Sequence, residues 1–540
     1  MYPLDMAASN PLPTQRCELI KRLSPSTIYD LVIIGGGATG LGVALDAAAR
    51  GLTVVLVESH DFAKGTSSRA TKLLHGGVRY LAQGNISLVH EALHERTVLL
   101  NNAPHLAQPL AFVMPSYTWW EKPFYGIGLK IYDALAGKAG LGQTQFLNPA
   151  QTIDAIPNVK QHKLRGGVKY WDGQFDDARL ALAIARTAAQ HGALLLNYFA
   201  AARLIHSGEK VVGLVCRDAQ TGTEHTINAR CVVNAAGVWV DQFRQQDGAV
   251  NGRPVQAMVA PSQGVHMVVD REFLGGDQAL MVPKTADGRV LFAVPWLGKV
   301  ILGTTDTPRN DLDREPHAFE EEIEFILTES ARYLTKAPQR SDIKSIWVGL
   351  RPLVKPQSDD GGGDGNGGNT KALSREHTIL VSKSGLVTVT GGKWTTYRAM
   401  AEDVLQRCVD QKLLPESIAK KTGVTKTLML MGAQGARVGA SISHPPDAHL
   451  YGGEATLLNS IEGYEEIITA GLTAAMVRFA VRFEYARTVE DVLARRSRLL
   501  FLDAQMAINI APRVADIVRS ETGSDPQLEA FVELARGYLL

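Results

Sequence analysis

Two rhythms of apolar and polar positions alternate along the chain, and they predict most of its elements. Leu31 to Ile34 is a short, uninterrupted apolar run of the kind a buried parallel strand carries. It breaks into Gly35, Gly36 and Gly37. Gly40 and Gly42 then lead into an Ala-rich stretch of helical period that ends at Arg50. Gly51 supplies the helix stop, and Thr53 to Val57 reads as a second buried strand ending at Glu58. Helical period returns from Glu91 to Asn101, and again from Asp176-Asp177-Ala178-Arg179-Leu180 to Gln190. Val211 to Cys216 and Cys231 to Val233 read as strands. Gly264 to Val269, Val290 to Trp296 and Val300 to Gly303, with a turn at Asp287-Gly288, suggest an antiparallel sheet. Gly385 to Arg398 passes from a strand through a glycine break into a helix start, and Ala399 to Leu540 is mostly helical in period.

Composition narrows the classes open to such a chain. Its 540 residues exceed one simple core and suggest about three domains. Basic and acidic residues balance at 56 and 55, so nothing argues for nucleic acid as a partner or for long-range capture by an anionic membrane. Cys17, Cys216, Cys231 and Cys408 are scattered, which fits a reduced compartment and offers neither a metal site nor a disulfide framework. No apolar run approaches the roughly 18 residues of a membrane-spanning helix. Residues 1–28 are Pro-containing with no apolar core, so they read as a disordered tail and not a secretory signal. The Asp/Gly tract at 359–369 reads as a surface loop.

The candidate chemistry starts at the first glycine turn. Gly35-x-Gly37-x-x-Gly40 between a strand and a helix is the dinucleotide-binding fingerprint, with Gly36 inside it. The glycines let backbone approach a pyrophosphate at the positive end of the helix, and Glu58 is placed to accept from ribose hydroxyls. The next segment, through Thr66, Ser67, Ser68, Lys72, His75, Gly76 and Gly77, sets hydroxyls and glycines beside cations and a histidine. Its hydroxyls suit phosphate or ring atoms, and its glycines suit a flat cofactor. Asn234 to Trp239 ends a strand on the small residues Ala235, Ala236 and Gly237, which permit close backbone approach. His266 sits alone in an apolar strand, where a histidine is commonly just a satisfied core residue. Tyr117 to Leu135 gathers Trp119, Trp120, Phe124 and Tyr125 near Lys122 and Lys130, a composition that suits either a bilayer interface or a domain contact.

GGGATGLG followed by TSSRATKLLHGGVRYL resembles the FAD-dependent glycerol-3-phosphate dehydrogenase family, the aerobic, quinone-linked type, and the resemblance runs from Tyr29 to about Arg498. It implies an α/β chain. An FAD/NAD(P)-binding Rossmann-like domain would interleave with an antiparallel-sheet substrate domain over 29–400, and a helical domain would follow over 401–540. FAD would be the cofactor and sn-glycerol 3-phosphate the substrate. A membrane quinone would take the electrons, and the enzyme would lie peripherally on the inner face of the cytoplasmic membrane; a homodimer is left open. Arg79, Arg351, Arg375 and Lys393 are the cations within the matching motifs, and they would line the substrate end of the flavin. Gly391, Gly392, Lys393 and Thr395 lie in the family's G-G-K-x-T-T-Y-R run, which brings a helix start to the flavin. His75 and His266 both lie in matching motifs, and either could take the hydroxyl proton. The insertion at 359–369 departs from the family's tighter joining of its two arginine motifs and loosens the placement of Arg375. A dioxygen-using glycerol-3-phosphate oxidase, an amine or amino-acid oxidase, and a nucleotide-binding scaffold without catalysis are the rival readings.

Overall fold

The glycine turn lies at the carboxyl end of the central strand of a parallel sheet. In a computed structural model describing residues 11–77, 85–250, 252, 254–286, 288–355, 377–436 and 441–540, the first of two large sheets has eight strands. Ile28–Ile34 runs parallel to Val54–Val57 on one side and to Glu224–Asn234 on the other. Leu194–Leu196 and Val387–Gly391 extend the parallel order outward. His377–Val381 closes one edge antiparallel. Helices on both faces explain the apolar run: Leu31, Val32 and Ile33 are wholly buried. The helix Ala38–Ala49 packs against Asp177–Gln190 and Tyr397–Asp410. Its small side chains permit that closeness, since a Cβ at Gly42 would lie 2.8 Å from the Tyr397 ring.

The second sheet, of ten strands, is mostly antiparallel. Val259–Asp270 pairs with Lys299–Gly303 and along nearly its whole length with Ser345–Val354. Ala107–Ser116 and Gly166–Phe175 form its other half. The two-residue strand Leu73–Leu74 adds to Gly166–Phe175, so the loop after Glu58 ends as an edge of this sheet. One face buries Val265, Met267 and Val269 with Ile323 and Ile326 of the helix Glu320–Tyr333. The other face packs Val268, Val294, Trp296 and Trp347 against the C-terminal helices, including Ala474–Phe483 and Ala504–Thr522.

Two expectations need correction. Residues 11–28 are part of the fold, with a helix at Arg16–Lys21. The Thr14 N–H donates to Arg482 O, and Arg16 pairs with Asp218 while lying over Phe199. A short segment without its own core is held here by cations and backbone groups on surfaces formed far along the chain. The boundary at 400 cuts the helix Tyr397–Asp410, which belongs to the first sheet's helical layer. The C-terminal part also contains a small hairpin, Ile467–Thr469 with Leu472–Thr473, and long turns before it. Arg79, Arg375, Asp287 and the tract 359–369 lie outside the described residues. No helix among the described residues is long and apolar enough to cross a membrane, and none of these residues form a metal-binding cluster of His, Cys, Asp or Glu.

Candidate active site

A cavity of about 500 Å³ runs between the two sheets. At one end it is walled by Gly35, Gly37, Glu58, Ser59, His60, Ala200, Ala201 and Gln242. Glu58 is fixed there by its own surroundings: the Gly36 N–H donates to Oε2 at 2.7 Å, and the His60 N–H and Ser59 hydroxyl donate to Oε1. Gly35 adopts φ +109°, and a Cβ on Gly40 would lie 1.9 Å from Gly35 O. The fingerprint glycines therefore serve the close strand-to-helix turn, and Gly36 and Gly40 stand behind the cavity wall.

The hydroxyls of the following loop are committed to protein. Ser67 Oγ accepts from the Ala38 N–H at the start of the first helix, at 2.9 Å. The Thr66 hydroxyl donates to Leu350 O at 2.6 Å, and the Trp394 indole donates to Ser67 O. These bonds fasten Thr66 and Ser67 on the wall, where both line the cavity, while Ser68 is buried behind it. Gly76 is also buried, its N–H donating to the Tyr132 hydroxyl at 2.9 Å, and Gly77 turns the chain at φ +85°.

Lys72 faces away from the cavity, contrary to the expected cofactor contact. It is fully buried, adopts φ +64°, and donates to Asp177 and Ser68 O. Trp296, Trp347 and Phe501 surround its ammonium at 5.2–5.4 Å. Burial pushes its pKa down to about 7, with Asp177 opposing and Arg498 reinforcing that shift. Arg498 meets the same Ser68 O and Asp177 from the C-terminal helices.

At the other end, Arg351, His266, His75, Lys393, Thr395, Ala236, Gly237, Gly391 and Gly392 line the cavity together. Arg351, on Ser345–Val354, has its guanidinium set by donation to Gln263 O, Asp306, Thr304 Oγ1 and Thr305 O. Gly264 opposite makes room, because a Cβ there would lie 2.2 Å from Arg351 Nη2. His266 Nε2 lies 2.9 Å from the Thr71 hydroxyl, and its ring stacks on Trp347 at 5.3 Å. Its Nδ1 is buried with no hydrogen-bond partner among the described residues. Burial, then Lys72 and Arg351, hold this imidazole well below its ordinary pKa, so it stays neutral. Gly237, Gly391 and Gly392 adopt φ of +61°, +82° and +76°, leaving a floor of backbone beside the alanines.

This donor set suits a dinucleotide: a fixed carboxylate for ribose, a helix start beside Gly37 for the pyrophosphate, and a slot floored by glycine for a planar ring. Comparison with known proteins decides which one. The family model "FAD dependent oxidoreductase" matches residues 30–398, and "C-terminal domain of alpha-glycerophosphate oxidase" matches 424–528. The mitochondrial glycerol-3-phosphate dehydrogenase of Bos taurus is 38% identical over 98% of this chain and 75% of its own length. The chain belongs to the FAD-dependent glycerol-3-phosphate dehydrogenase family. FAD is the family's cofactor and this chain's. The probable mitochondrial glycerol-3-phosphate dehydrogenase of Caenorhabditis elegans is 40% identical over 99% of the chain and 76% of its own length. The crystal structure of the glycerol-3-phosphate dehydrogenase from Bacillus halodurans complexed with FAD superposes with TM-score 0.75 at 30% identity, covering 97% of this chain and 98% of that one.

Sequence reasoning passed over several residues of the wall. Thr71 lay inside a motif already singled out, and its hydroxyl was readable as a partner for a histidine. Gly264, Trp239 and Arg314 gave no local signal, because each matters through a partner distant in the chain.

Proposed function

We propose that this enzyme oxidises sn-glycerol 3-phosphate to dihydroxyacetone phosphate and passes the electrons to a membrane quinone. The observation that carries this reading is the convergence of Arg351, Lys393, His266 and His75 at one end of the FAD cavity. A phosphate dianion is costly to desolvate unless fixed cations receive it, and a guanidinium presents a paired fork for that purpose. Arg79 and Arg375 are proposed to complete the set.

FAD, when bound, supplies the hydride-accepting ring. The protein holds the secondary alcohol against it, with the phosphate on Arg351 and Lys393 and the hydroxyl near His266. As hydride leaves the carbon, the hydroxyl proton passes to the imidazole. Arg351 helps keep the imidazole neutral, and a substrate phosphate on Arg351 offsets that charge and raises the ring's basicity. His75 lies on the same wall as the second proton carrier.

Membrane attachment is read from the helix Glu121–Ala136 and its approach. Trp119 is 78% exposed, Phe124 65% and Ile127 60%, with Trp120, Ile131 and Phe146 also exposed. Phe124, Ile127 and Ile131 share one helical face, and Lys130 lies over the Phe146 ring. That face suits insertion into the interfacial layer on the quinone's membrane, with the inner face of the cytoplasmic membrane as the expected location.

Anaerobic addition of glycerol 3-phosphate should bleach the flavin absorption, and a quinone analogue should restore it. A flavin that stays oxidised would end the substrate reading. Reoxidation giving stoichiometric peroxide in air, with no response to quinone, would favour the oxidase.

A further inference from the structure

The segment between Thr307–Pro308 and the helix Glu320–Tyr333 belongs to the substrate sheet's side of the molecule, yet it reaches the nucleotide end of the cavity. The Trp239 indole donates to Leu312 O at 3.0 Å. The Arg314 guanidinium lies 4.6 Å over the same ring. Both residues line the cavity; a Cβ at Gly65 would lie 3.4 Å from the Trp239 ring, and the Arg314 and Lys64 charges both act on His60. Arg314 is exposed and lines the cavity, and among the described residues it has no ion pair or hydrogen bond. The next residue, Glu315, anchors the segment: it accepts from Arg69 at 2.5 Å and from the Tyr538 hydroxyl at 3.2 Å, and lies 3.7 Å from Lys64. The segment is thus held at Leu312 and Glu315 and presents the Arg314 guanidinium between them, stacked on Trp239.

We infer that Arg314 and Trp239 form a clasp over the adenosine diphosphate half of FAD. An unpaired guanidinium on an indole offers a flat cationic surface to an adenine ring or to the diphosphate beside it. Arg314 comes from the substrate-sheet side and Trp239 follows a strand of the nucleotide sheet, so the clasp joins two parts of the chain over the cofactor. Glu315 keeps the clasp closed without touching the cofactor. This inference rests on FAD occupying the cavity with its ribose at Glu58.

Diluting the holoenzyme into FAD-free buffer and following the recovery of flavin fluorescence measures cofactor release. Arg314→Met, which keeps bulk over the indole but no charge, should release FAD about tenfold faster or more, as should Trp239→Leu. Glu315→Gln should also speed release, because it loosens the anchor. In excess FAD, Tm of all three should stay within about 2 °C of wild type, since the clasp adds little to the core. Release within about twofold of wild type for both Arg314→Met and Trp239→Leu overturns the clasp. So does faster release accompanied by a Tm loss above about 5 °C in excess FAD, which marks a packing defect. A wild-type protein that purifies colourless overturns the FAD reading itself, a different result from an unchanged release rate.

Discussion

Arg351 reaches the cavity with its fork already oriented, because Gln263 O, Thr305 O, Thr304 and Asp306 accept its protons. Little side-chain freedom remains to be lost when an anion binds, which favours tight and specific capture. Arg351→Met should therefore lower kcat/KM for glycerol 3-phosphate by roughly 30- to 1000-fold, and Arg351→Lys by less. With glycerol, which has no phosphate, the penalty should shrink sharply; equal proportional losses on both substrates would remove the arginine from phosphate binding. Gly264→Ala provides an independent check, since its Cβ would meet Nη2 at 2.2 Å and Thr304 Oγ1 at 2.7 Å. It should fall between the lysine and methionine variants while retaining FAD, and wild-type kinetics for it would mean the fork's position is unimportant. Arg351, Glu58 and His266 reach the cavity wall from short motifs whose local structure follows from their own letters, although the letters alone left His266 open between a core histidine and a base. Lys72 was misread for the opposite reason. Its partners, Asp177, Trp296, Trp347 and Phe501, are scattered over hundreds of positions, and nothing near it announces a buried cation.

The strand, turn and helix from Ile28 to Ala49 form an element whose sequence and structure agree almost residue for residue. Its apolar run, glycines and Ala-rich helix all express one requirement, close packing beneath a phosphate. Gly37→Val should abolish flavin content, since even a Cβ there meets Ser67 Oγ at 3.0 Å and the larger side chain points along the cavity wall. Full FAD occupancy in that variant would displace the nucleotide site. The helix Glu121–Ala136 was legible only as a collection of aromatics; its outward face became visible once the neighbouring elements had claimed the other sides. Trp119→Ser combined with Trp120→Ser should reduce flotation with liposomes at moderate salt, because binding through inserted rings is little screened. Equal flotation of the folded double variant would exclude this helix as the membrane contact. The helix Arg16–Lys21 was missed altogether, because its stability comes from Arg16 reaching Asp218 and the carbonyls of Asn197 and Tyr198.

Across the whole molecule, buried charge joins the C-terminal helices to the cofactor loop. Arg495 and Arg496 both pair with Asp61, Arg495 also pairs with Glu490 and Asp491, and Glu490 holds Lys64 of the loop. Burial alone would raise the Glu490 carboxyl, but Arg495 and Lys64 prevail and hold it at about 2. A carboxyl held low contributes stability that is present above its unfolded pKa and is lost as pH falls toward the folded value. Glu490→Gln should therefore cost on the order of 3 kcal/mol at neutral pH, with the gap to wild type closing between about pH 4.5 and pH 2. Urea midpoints across that window measure it, and a gap independent of pH would mean that Glu490 acts by shape and not by charge.

Asp177, Val348, Arg498 and Tyr538 have a bearing on the order of synthesis. The loop at 65–77 is made early, but Asp177 holds Lys72, Val348 O receives Arg69, and Arg498 reaches Ser68 O. Glu315, which also holds Arg69, is itself met by Tyr538. A chain emerging from the ribosome thus completes its nucleotide turn hundreds of residues before it possesses the supports of the adjoining loop. Cofactor capture is expected to follow release of the finished polypeptide, and nascent chains arrested before residue 490 should remain colourless however long they wait in FAD.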